Sequence, residues 1–240
     1  MIILIRKRHV AYALLLCGFV AGLFAVLWHG NAAFTAAFAP GEEAPVTVVV
    51  DAGHGGEDGG AVAGDGTVES GLNLSIAQRV RDLLTFAGVP TAVTREGEDA
   101  IYDPGSATLR EKKVSDLHNR VALVNDIPNA ILLSIHQNSL PSSPSTQGAQ
   151  AFWNRQEGAE ELAESVQTAL NGTINAGNEK KATQVPSSVY LMKEITVPGV
   201  LVECGFLSNA AETERLKDPG YQTKLAAAIA AGVLTIRNEE

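Results

Sequence analysis

Val46-Thr47-Val48-Val49-Val50-Asp51-Ala52-Gly53-His54-Gly55-Gly56 is the stretch on which the reading of this chain turns. Its first half is a β-branched run, and a short apolar run of that kind predicts a strand buried on both faces. Its second half is a glycine-rich turn carrying a histidine, where the backbone bends sharply and approaches a ligand without a Cβ clash. Beyond it a helix is predicted from Asn73 to Ala87: Ile76, Val80, Leu83 and Ala87 recur at helical spacing, and Gly88 stands where a C-terminal cap belongs.

The alternation continues downstream. A second strand is predicted over 89–94, then a polar irregular stretch over 99–113. Ser115 is placed to cap a helix with Leu117, Val121 and Val124 on one face, ended by Pro128. Strands follow at 130–135 and 149–153, separated by a Ser/Pro-rich loop at 141–147. A helix is expected over 159–170, a polar loop over 171–187, short strands at 190–192 and 200–202, and a closing helix over 221–236. Strands alternating with helices predict an α/β fold, a single-domain sandwich with a mostly parallel central sheet flanked by helices. In such sheets ligands bind beyond the carboxyl ends of the strands.

Upstream of Val46 the composition changes. The chain carries 18 basic and 27 acidic residues, a net charge of −9. Three of the basic ones, Arg6, Lys7 and Arg8, lie in the first 40 residues, which hold no acidic residue. The rest is therefore more acidic still, which argues against binding of a phosphate backbone and so against nucleic acid. Residues 10–28 are an uncharged run of bilayer-spanning length, about 28 Å as a helix. The basic flank predicts a cytoplasmic N-terminus and an exported domain. The expectation is a basic flank and transmembrane signal-anchor at 1–28, a linker at 29–44 and the catalytic domain at 45–240. A single pass in the cell membrane then places the domain outside the cytoplasm. The rival is a secreted protein, its signal cleaved near Ala37-Phe38-Ala39.

The strand-end rule picks out three places. The first strand runs into His54, the third into Ser134-Ile135-His136-Gln137-Asn138-Ser139, and a late one into Glu203-Cys204-Gly205-Phe206. Two cysteines are too few for a thiolate zinc site, so a metal would need histidine and carboxylate. Two histidines, a carboxylate and a position open to water describe a hydrolytic zinc site. Glu69, just after the glycine-rich loop, is the natural third ligand to His54 and His136. Glu203 sits among apolar neighbours, where burial raises a carboxyl group's pKa and suits it to proton transfer. Asp51 or Asn138 is expected to orient a ligand histidine. On residues alone, Gly-His-Gly-Gly also suits a plain turn or an anion-binding nest. Cys204 reads as a small buried residue in preference to a nucleophile.

Taken together, Val-Asp-Ala-Gly-His-Gly-Gly at 50–56, Val-Glu-Ser at 68–70, Thr94-Arg95, Ser-Ile-His-Gln-Asn-Ser at 134–139 and Val-Glu-Cys-Gly-Phe-Leu-Ser-Asn at 202–209 resemble the zinc-dependent N-acetylmuramoyl-L-alanine amidases. The resemblance spans about residues 46–236. It implies a Zn2+ cofactor on His54, Glu69 and His136, Glu203 as catalytic glutamate, and peptidoglycan as substrate. Gln137 departs mildly from the family's small residue there. Tyr102-Asp103, Arg110-Glu111-Lys112-Lys113, Asp116-Leu117 and Asn119-Arg120 further resemble the germination-specific amidases of spore formers. That implies removal of stem peptides from cortex muramic acid, toward muramic-δ-lactam. The alternatives are a vegetative or cell-separation amidase and a non-catalytic peptidoglycan-binding module. Loops 96–114 and 139–148 are expected to shape the substrate groove, and a protein activator of unknown identity is allowed for.

Overall fold

The computed structural model describes residues 45–237. The β-branched run forms β1 (Thr47–Ala52), with Val48, Val49 and Val50 almost wholly buried. It lies between β2 (Thr91–Val93) and β3 (Ala130–Asn138), parallel to both. β3 is in turn parallel to β6 (Gly199–Phe206). β4 (Gln150–Trp153) is antiparallel to β6, and β5 (Thr183–Gln184) closes the order β2-β1-β3-β6-β4-β5. The mostly parallel sheet expected from the alternation is present.

Side chains alternate across a strand, so β1 and its neighbours feed two cores. Val48, Val50, Leu133, Ile135, Val200 and Val202 face one layer. That layer is α1 (Glu69–Phe86), α3 (Ala159–Asn171) and α6 (Pro219–Arg237). Val49, Leu132 and Leu201 face the other, built from α2 (Leu109–Asn125) and α4 (Tyr190–Glu194). A short α5 (Ala210–Lys217) follows β6 and packs on it and on α6. α1 shows what holds a helix here. Its N-cap, Val68, makes no side-chain capping bond. A missing cap costs about 1 kcal/mol. Its buried Ile76, Val80 and Leu84 each stabilise by roughly 2 kcal/mol, so the apolar stripe decides.

Several expectations are corrected. α1 begins at Glu69, one turn before the predicted Asn73. α2 begins at Leu109 inside the stretch read as irregular, capped by Thr108 in a capping box with Glu111. Ser115 is no cap: its hydroxyl donates to Asp103 at 2.9 Å. Tyr190–Met192 is helical, within α4. The polar segment 171–187 carries the two-residue β5. The predicted membrane helix and linker lie outside the described residues. Among the described residues no helix is long and apolar enough to cross a membrane.

Candidate active site

Three strand ends and one helix start converge at a single edge of the sheet. His54 follows β1, His136 and Glu203 are direct partners in the parallel ladder of β3 and β6, and Glu69 opens α1. Odd and even positions matter here. His136 and Glu203 fall on the α2 side of the sheet, the same side as Ser134 and Leu201. Glu69 reaches the edge because α1 starts there, which is why its early start has functional weight.

The arrangement is tight. Glu69 Oε1 lies 3.0 Å from His136 Nδ1 and 3.4 Å from His54 Nε2. One donor atom from each of His54, Glu69 and His136 can be chosen so that all lie within 4.8 Å of one another. The two imidazole rings meet edge-on at 5.1 Å. Two imidazole nitrogens and a carboxylate oxygen turned to a common point are the donor set that suits zinc. Glu69 is a buried acid that burial alone would neutralise, but the two histidines hold its carboxyl well below the usual range. Its Oε2 accepts from the Ala61 amide at 2.8 Å and its Oε1 from the Gln137 amide and Asn73 Nδ2, each at 3.1 Å.

The turn demands special backbone. His54 adopts φ 61°, the left-handed region that β-carbon-bearing residues rarely enter. Gly53 is needed for a different reason. A Cβ there would sit 2.2 Å from the His136 ring, so any side chain would push that ring away.

Glu203 stands apart from this cluster. Its Oε2 is buried and, with Gln137 Oε1, lacks a hydrogen-bond partner among the described residues. Burial pushes its carboxyl up to about 7, with His136 pulling the other way and Glu69 adding to the rise. Such a group exchanges protons near neutrality.

Neither predicted orienting residue hydrogen-bonds a histidine. Asp51 accepts from Ser134 Oγ at 2.5 Å, Thr94 Oγ1 at 2.7 Å and Arg120 Nη1 at 2.5 Å. Asn138 Oδ1 accepts from the Ser139 amide. The residue that does hold a histidine is Asp58, whose Oδ2 lies 3.0 Å from His54 Nδ1. Burial disfavours charge on His54, but hydrogen bonds to Asp58 and Glu69 outweigh it and raise the imidazole to about 9. Lys113 of α2 reaches the same Asp58 oxygen at 3.0 Å. Sequence reasoning missed Asp58; its place four residues after His54, in the same glycine-rich loop, was the available signal. Cys204 is fully buried and burial drives its thiol above the ordinary range, so it supplies no thiolate.

Two hollows flank the cluster. A cleft of about 90 Å³ on the α2 side is lined by His54, His136, Lys113, Leu117, Tyr190 and Met192. A larger groove of about 580 Å³ is lined by Val62, Asp65, Ser139, Pro141, Pro144 and Leu207. Loop 139–148 lines the second hollow, and α4 walls the first without having been foreseen.

Residues 48–235 match the family model for N-acetylmuramoyl-L-alanine amidase. The chain belongs to the N-acetylmuramoyl-L-alanine amidase family. This amidase is 37% identical over 194 residues to a germination-specific N-acetylmuramoyl-L-alanine amidase of Bacillus subtilis, covering 80% of each chain. It is similar in structure to the CwlD amidase of Clostridioides difficile, solved in complex with the GerS lipoprotein. The TM-score is 0.77 at 32% identity, over 82% of this chain and 100% of that one. An N-acetylmuramoyl-L-alanine amidase of Clostridium difficile 630 follows at TM-score 0.70 and 25% identity, over 83% and 100%. Membership in the amidase family makes the chain a hydrolase of peptidoglycan.

Proposed function

We propose that the amidase uses one zinc ion, held by His54, Glu69 and His136, to cut the amide between N-acetylmuramic acid and L-alanine in spore-cortex peptidoglycan. The observation that carries the zinc reading is the His54-Glu69-His136 cluster beside the unpartnered Glu203 Oε2. A bound zinc ion would acidify a water to a pKa of about 7 and polarise the scissile carbonyl. Asp58 holds the His54 ring at Nδ1, so its orientation is set before any substrate arrives and Nε2 is left for the metal. Glu203 acts as general base and then acid. It takes the proton of the attacking water on its carboxylate and returns it to the departing L-alanine amine. Breaking the C–N bond therefore releases a neutral amine, and the lactyl carbonyl carbon gains the hydroxyl.

The cortex assignment rests on likeness to the germination-specific enzyme and to CwlD. The products then lead toward muramic-δ-lactam, and a lipoprotein partner like that of CwlD belongs to the same reading. Residues 1–28, with Arg6, Lys7 and Arg8 before an uncharged run, anchor the chain to the cell membrane with the catalytic domain outside. Mass analysis of fragments released from purified cortex and vegetative peptidoglycan, with and without chelator, tests the reading. Expected are free stem peptides from cortex and their loss in chelator. Cleavage confined to vegetative wall would defeat the cortex assignment, and chelator-resistant cleavage would defeat the zinc.

A further inference from the structure

Arg95, just after β2, and Arg120, in α2, are both buried, at 5% and 1% exposure. Both direct their guanidinium groups at the backbone that carries His54. The Ala52 carbonyl accepts from Arg95 Nε and from Arg120 Nη1, each at 2.8 Å. The Gly53 carbonyl accepts from Arg95 Nη2 at 3.1 Å, and the His54 carbonyl from Arg120 Nη2 at 2.7 Å. Every carbonyl of residues 52–54 is thus bound by one or both of two arginines that come from different elements. Arg95 Nη2 also binds the Ser70 carbonyl at 2.8 Å, and its Nη1 binds the Gly97 carbonyl at 2.8 Å. It therefore ties the His54 turn to the first turn of α1, which carries Glu69.

We infer that Arg95 and Arg120 are positioning residues for the metal: together they clamp residues 52–54 so that His54 is held in its left-handed backbone with Nε2 turned to Glu69. A left-handed residue other than glycine is strained and persists only where its surroundings over-determine it. Four guanidinium bonds to three successive carbonyls are that over-determination. The chemistry of the side chains agrees. Arg95 makes no hydrogen bond to a carboxylate among its described partners; its four bonds all go to main-chain carbonyls. An apolar side chain would fill that volume without burying a charge. A rigid planar fork is what binds several carbonyls at once, and an ammonium group cannot copy it. Arg120 has a second duty to Asp51 and Asp116, with Nη1 2.5 Å from Asp51 Oδ1 and Nε 2.8 Å from Asp116 Oδ2.

The inference rests on the zinc reading, and its test separates the two. Zinc affinity of the full chain is measured by competition with a chromogenic chelator, for the parent, Arg95→Lys and Arg120→Lys. Both variants keep the positive charge and lose the fork. Circular dichroism and the thermal midpoint are recorded in chelator, and the visible spectrum after cobalt(II) substitution. Expected are apo-proteins with the parent's circular dichroism, zinc bound at least about tenfold more weakly, the range seen when a ligand's supporting partner is lost, and an altered cobalt spectrum. A purely structural role would lower the apo midpoint and leave affinity and spectrum alone, which overturns the clamp. Loss of fold in both variants would assign the arginines to the core and overturn it as well. A parent chain that binds no zinc would instead sink the zinc reading itself.

Discussion

Glu203 and the three proposed ligands make separable demands, and single substitutions pull them apart. Glu203→Gln keeps the shape of the side chain and removes the base. Expected are an unchanged zinc content and a fall in turnover of at least about a hundredfold, ordinary for a lost acid–base group. Near-normal cleavage of peptidoglycan by that variant would remove Glu203 from the mechanism. His54→Ala and His136→Ala each delete a proposed ligand, so metal analysis of the purified variants should find little zinc; full content in both would sink the site. Asp51 tests the support beneath. Burial opposes its charge, but Arg120 and the Ser134 and Thr94 hydroxyls lower its carboxyl to about 2. A depressed carboxyl pKa contributes stability that is present above the unfolded value of about 4 and lost as pH falls through the folded one. The parent should therefore lose stability between about pH 4 and 2 through this group. Asp51→Asn should be less stable at pH 7 by about 3 kcal/mol, because Arg120 is left with less compensation, and its denaturant midpoint should fall less over that acid range. Of these residues His54, His136, Glu69 and Glu203 were legible in the sequence because strand ends and a glycine-rich turn mark them. Asp58, Arg95 and Arg120 were legible only as residues, since the His54 ring and the carbonyls of residues 52–54 that they bind are brought to them by folding.

At the scale of elements, buried polar residues explain where sequence reading failed. α2 buries Asp116, Arg120 and Val124 while Leu109 and Val114 are exposed, so its apolar period is weak and its first two turns read as loop. The start was nevertheless written in Thr108-x-x-Glu111, where the Thr108 hydroxyl accepts from the Glu111 amide at 3.2 Å and the Glu111 carboxylate accepts from the Thr108 amide at 2.9 Å. Thr108→Ala should cost about 1 kcal/mol, measured by urea unfolding. An unchanged midpoint would show the cap contributes nothing. The strands erred less. β1, β3 and β6 are buried on both faces and give continuous apolar runs that survive any choice of register. Tyr190–Met192 is too short for periodicity to separate strand from helix, and its helical form follows from packing Leu191 and Met192 beneath the sheet.

At the scale of the whole molecule, the catalytic set and the proposed anchor occupy different parts of the chain. Every proposed ligand, Glu203 and both cores lie after Val46. Deleting residues 1–44 should therefore release a zinc-containing, active domain into the soluble fraction. The full chain should sediment with membranes and resist salt extraction, because apolar burial in a bilayer is not screened by ions as a surface charge contact is. Arg6, Lys7 and Arg8 precede the uncharged run, so the positive-inside bias should send everything after residue 28 outward. A topology reporter fused after Glu240 should read as external. N-terminal sequencing of the mature protein separates anchor from cleaved signal: a start near Pro40 would defeat the anchor and leave export standing. A reporter that reads as cytoplasmic would overturn both, since an amidase on that side of the membrane never meets the polymer its site is built to cut.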